Sequence, residues 1–64
     1  MLVNGQQKNL QNNILLCDFL LKEGYDLLKT AVEKNGNIIP KKAYQDEMLC
    51  DNDKLEIVHF VGGG

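Results

Sequence analysis

Sixty-four residues leave room for one small domain, which buries only about 60% of the surface its unfolded chain exposes. Seven lysines, no arginine and nine carboxylates give a net charge of −2, which excludes the basic stripe that nucleic acid or an anionic membrane surface would require. No apolar run approaches the ~20 residues of a membrane-spanning helix, and no basic region followed by an apolar stretch opens the chain as a secretory signal would.

A cytoplasmic location is therefore expected. Cys17 and Cys50 are the one pair able to form a disulfide. In that compartment they read instead as reduced thiols filling small gaps.

In chain order, Met1 to Val3, Asn4-Gly5 and Gln6 to Leu10 predict a hairpin, because Asn-Gly supplies the two positive-φ residues of a tight turn. Alternation then sets Met1 and Val3 on one face and Leu2 on the other. Asn13 or Asn12 is a good N-cap for a helix near residues 14–23. Its apolar face is expected to hold Ile14, Cys17, Leu20 and Leu21, with Leu16 at the edge, and Gly24 is the stop.

Leu27 to Lys34 reads as a strand with Leu28, Thr30 and Val32 on one side. Asn35-Gly36 is a second turn, and the short strand at Ile38-Ile39 ends at Pro40, which has no N–H for a ladder. Lys41 to Gln45 reads as a turn of helix, Glu47 to Leu49 as a short extended piece, and 50–53 as a polar turn. Lys54 to Phe60 is the most strand-like segment, with Leu55 and Ile57 alternating against Glu56 and Val58.

Two hairpin-like units flanking one helix define an α+β class. With the last strand beside the first, the expected architecture is the β-grasp, or ubiquitin-like, fold: a mixed sheet with one helix packed on one face. The expected domain spans 1–61, followed by a tail at 62–64.

Catalytic signals are sparse. One histidine, no serine and one threonine exclude a Ser-His-acid triad. Cys17 or Cys50 with His59 makes a thiolate pair only formally, without a third partner. The spacing is not that of a zinc site, and Asp51-Asn52-Asp53 lacks the glycine and distal glutamate of a calcium loop. No catalytic or metal-binding residue is expected.

Gly62-Gly63-Gly64 is different. Without Cβ atoms it can pass through a narrow channel and is expected to present an unhindered carboxylate at Gly64. A carboxylate must be activated before sulfur can displace oxygen, and adenylation by ATP on a partner does this. A frayed end with no role is the other reading of the bare glycines.

The final eleven residues, Lys54-Leu55-Glu56-Ile57-Val58-His59-Phe60-Val61-Gly62-Gly63-Gly64, follow an Asp51-x-Asp53 turn. Together with Val3-Asn4-Gly5 and Asn35-Gly36 before Ile38-Ile39-Pro40-Lys41, they resemble the ThiS family, the sulfur carriers of thiamine biosynthesis. The resemblance implies a carrier and not an enzyme. Gly64, matching with Gly63 the family's reactive diglycine, would be adenylated by a ThiF-like adenylating enzyme, with Gly62 and Gly63 threading into it. The ATP belongs to that partner, and no cofactor is bound by the chain itself. A thiocarboxylate, made with sulfur from a donor protein, would then pass to thiazole synthase (ThiG). Lys41 stands where the family often has arginine, and the helix region carries no family signature.

The sulfur carrier of molybdopterin synthesis, a ubiquitin-like modifier and a plain interaction domain are the alternatives. Docking is expected on the open face of the sheet through Leu2, Val58 and Phe60, unless Phe60 folds back to close the core.

Overall fold

A computed structural model describes residues 1–60; the expected site residues Gly62, Gly63 and Gly64 lie outside the described residues. β1 (Leu2–Val3) and β2 (Gln6–Gln7) form the predicted hairpin. Asn4 and Gly5 turn it with φ of 52° and 82°, the positive values that make Asn-Gly the favoured pair.

Ile14–Leu15 forms a short strand, β3, instead of the first turn of the helix. It pairs antiparallel with β6 (Met48–Leu49), Ile14 opposite Leu49 and Leu15 opposite Met48. The helix α1 therefore spans Leu16–Lys22, and no side chain caps its start. Backbone carbonyls take that role: the Leu16 N–H donates to Glu47 O (2.8 Å) and the Cys17 N–H to Tyr44 O (3.0 Å), satisfying donors a helix start leaves free.

This later start turns the apolar face. Leu16, Cys17, Phe19 and Leu20 are buried, while Leu21 is exposed. The three- and four-residue spacing runs from Leu16, so Phe19 joins the core where Leu21 was expected. Gly24, at φ 87°, closes α1. Its N–H donates to Leu21 O and that of Tyr25 to Leu20 O, the paired bonds of a Schellman end.

Leu27–Lys29 is a 3-10 turn and not strand. The Asp26 carboxylate accepts the Leu28 N–H at 2.9 Å, which holds the turn and leaves Leu28 exposed. β4 is accordingly Thr30–Lys34, followed by the Asn35-Gly36 turn and β5 (Asn37–Ile39). Pro40 ends pairing as expected, a 3-10 turn spans Lys41–Ala43, and β7 runs over Lys54–His59.

The main sheet has the order β2-β1-β7-β4-β5. β1 and β7 are parallel and the other neighbours antiparallel, which makes the expected mixed sheet. One face packs on α1. Val3, Val32, Leu55 and Ile57 meet Leu16, Phe19, Leu20, Tyr44 and Leu49 in a single buried cluster.

Lys34 ties the two sheets together. Its ammonium donates to Glu47 Oε2 (2.7 Å) and Met48 O (2.9 Å). The bond to Glu47 raises its pKa against the opposing effect of burial, with help from nearby Asp53.

Candidate functional site on the open face of the sheet

The strand period divides β7 into two rows. Leu55 and Ile57 are buried against the helix side, while Lys54, Glu56 and Val58 are exposed on the other. In β4, Thr30 and Val32 are buried and Glu33 is exposed; Ile38 of β5 is 76% exposed. No helix among the described residues covers this outer row, because α1 sits on the opposite face.

Lateral register decides which outer residues meet. Ala31 lies opposite Val58 and Glu33 opposite Glu56, while Glu33 is also opposite Ile38. Ala31, Val32, Glu33, Ile38, Glu56 and Val58 line a shallow hollow of about 130 Å³. A larger cleft of about 510 Å³ is lined by residues 9–14 and Lys22, with no contribution from β7.

Leu2 does not join this hollow. It is exposed, as alternation predicts, but its β7 neighbour is Lys54. Val58 lies four residues farther along, ~13 Å at ordinary strand rise. The expected cluster of Leu2, Val58 and Phe60 is thus opened out, and Ile38, which sequence reasoning left out, lines the same hollow as Val58 from the far side of β4. Its signal was Ile38-Ile39 before Pro40: one of two successive strand residues must face outward.

Phe60 does not close the core. Its side chain is 52% exposed while its N–H donates to Lys29 O at 2.7 Å, carrying the ladder one residue past β7. His59, opposite Thr30, meets the Tyr25 ring edge-on at 5.7 Å between centroids.

Asn4 fixes the other side of β7. Its N–H donates to Leu55 O (2.9 Å), its side-chain amide donates to Ile57 O (3.1 Å), and its side-chain carbonyl accepts the Ile57 N–H (2.6 Å). A primary amide carries the same donor and acceptor as a peptide. Asn4 therefore extends the parallel ladder where the chain itself has turned away, a role the Asn-Gly turn signal did not reveal.

Cys17 is buried and Cys50 half-buried, and both are free. Among the described residues no three His, Cys, Asp or Glu side chains cluster as a metal site would need, and no helix is long and apolar enough to cross a membrane. The arrangement suits recognition: an outer sheet face beside the strand that leads into residues 61–64.

Fold and comparison now converge. The class is ubiquitin-like, a β-grasp. The crystal structure of a thiamine biosynthesis protein (ThiS) from Geobacter metallireducens superposes with a TM-score of 0.79, covering 98% of this chain and 96% of that one at 24% identity. The chain belongs to the ThiS family, which matches residues 1–64. A sulfur carrier protein ThiS from Bacillus subtilis is 61% identical over 33 residues, 52% of this chain and 50% of that protein. A thiazole synthase from Paramagnetospirillum magneticum is 41% identical over 64 residues, all of this chain but 20% of the synthase. The chain thus spans half or less of the length of these two relatives.

Proposed function

We propose that this chain is a sulfur carrier for building the thiazole ring of thiamine, working as a protein cosubstrate in the cytoplasm. The observation that supports it best is the family match over residues 1–64, triple glycine included. In this reading the Gly64 carboxylate attacks the α-phosphorus of ATP on a ThiF-like adenylating enzyme and pyrophosphate leaves. Hydrosulfide supplied by a donor protein then adds to the carbonyl carbon of the acyl adenylate, the C–O bond to AMP breaks, and a thiocarboxylate remains. Thiazole synthase takes that sulfur; the relative that is itself a thiazole synthase, matched over the whole of this chain, supports the pairing.

Gly62 and Gly63 thread the tail, since a Cβ adds width in a channel that admits glycine. Val58 and Phe60 supply apolar docking area, with Leu2 as a separate outlying contact.

Adding one alanine after Gly64 tests this directly. Folding, read by melting temperature, should not change, because the addition touches no core residue. Intact mass after incubation with ATP, a sulfur source and the adenylating enzyme should show the thiocarboxylate on the original chain and none on the extended one. Equal sulfur loading of both overturns the proposal.

A further inference from the structure

Glu33 and Glu56 face each other across β4 and β7, and both are exposed. Directly opposed residues of an antiparallel pair hold their Cβ atoms about 4.5–5.5 Å apart, where like charges destabilise the sheet. Neither carboxylate is in an ion pair among the described residues. The ion pairs there join Met1 with Asp51, Lys8 with Glu23, and Lys34 with Glu47 and Asp53. Lys34, next to Glu33 in sequence, is committed to Glu47 and Met48 O. Lys54 lies two residues from Glu56 without an ion pair to it among the described residues.

Glu33 and Glu56 line the same hollow as Ala31, Ile38 and Val58. An apolar hollow bearing two acids complements one ligand chemistry in particular: an aliphatic stem ending in a cation. We propose that Glu33 and Glu56 form the seat for one lysine or arginine side chain of a protein partner, its stem lying between Ile38 and Val58. This rests on the docking role given above to the open face and adds the partner's chemistry to it.

A free metal ion suits the seat poorly, because two carboxylates fall short of the six or more oxygens calcium takes. A small diffusible amine would leave Ile38 and Val58, 76% and 56% exposed, without cover. A protein surface with apolar side chains around its cation covers both and keeps water from the pair. The repulsion present in the free carrier then becomes attraction in the complex. Such an arrangement sets partner choice more than overall affinity.

The test is titration calorimetry of the full chain against purified cognate thiazole synthase at low and high salt. The double variant E33Q/E56Q should bind about tenfold more weakly than wild type at 50 mM salt, and the gap should close to about threefold or less at 500 mM. Its melting temperature should stay the same or rise, since a facing repulsion is removed. The charge swap E33K/E56K should lose binding altogether; if it also fails to fold, the glutamine variant alone decides. Wild-type binding with E33Q/E56Q within about twofold at both salts overturns the cation seat and leaves the docking face standing. No binding by wild type overturns the docking face and the seat together.

Discussion

Leu55 and Val58 sit three residues apart on one strand and live in different worlds. Leu55 is wholly buried among Val3, Val32 and the helix, whereas Val58 is more than half exposed beside Ala31. Both are apolar and both suit a strand, so composition does not separate them; the face does. The inner face spends its apolar area on holding the domain together. The outer face keeps apolar area and two facing acids that the isolated domain does not use. In so small a domain the core has little to spare, which makes the unused area on the outer face informative.

The comparison breaks most sharply by mutating those two positions. Leu55→Ala should cost about 3 kcal/mol of stability, a lost transfer energy plus a cavity, measured by urea denaturation. Val58→Ala should cost about 0.5 kcal/mol or less yet weaken binding to the adenylating enzyme or thiazole synthase. Equal destabilisation by the two variants would erase the distinction between the faces.

A smaller effect is expected from the edge that joins them. Asn4→Ala removes both side-chain bonds to Ile57 and strains a positive φ, costing about 2 kcal/mol. Asn4→Gly restores the backbone freedom without the bonds, so it should recover only part of the loss in the same denaturation experiment.

Smallest is the effect at Tyr44, at the rim of the inner core. Its hydroxyl donates to Thr30 O at 3.1 Å. Burial raises its pKa above the ordinary tyrosine value, partly offset by a backbone bond at Val32. A folded-state pKa raised above the unfolded one gives stability that is complete below pH ~10 and lost as pH climbs through the folded value. Tyr44→Phe should lower stability at neutral pH by about 1 kcal/mol and flatten that alkaline fall in thermal melts.

The parts of the fold legible in the sequence were those governed by neighbours in the chain. Asn4-Gly5 and Asn35-Gly36 announced both hairpins through the backbone angles they tolerate, and the alternation in Lys54 to Phe60 placed Leu55 and Ile57 inward. What was hidden depends on distant partners. Ile14-Leu15 looks like the start of a helix until Met48-Leu49 comes to pair with it, and the true start is capped by carbonyls of Glu47 and Tyr44. Likewise Leu27 to Lys29 reads as strand until the Asp26 side chain bends it.

The candidate site divides in the same way. Exposure of Leu2, Val58 and Phe60 follows from period two, but their spacing follows from the register of β1 on β7, which no local pattern encodes. The facing of Glu33 and Glu56 is register too.

The parallel pairing of β1 with β7 has a further consequence for how the molecule is made. The two strands lie almost the whole chain apart, with β7 seated between β1 and β4. During synthesis β1, α1 and β4 leave the ribosome first, and the slot between β1 and β4 must wait, its two edges unpaired. Closing such a distant pair is slow, because the ordering cost falls before the contacts form. Until β7 arrives the outer row is incomplete, with no Ala31 beside Val58 and no Glu33 facing Glu56. In the proposed docking, a partner that reads this face would read a finished sheet: recognition would double as an inspection, and half-made chains would be passed over.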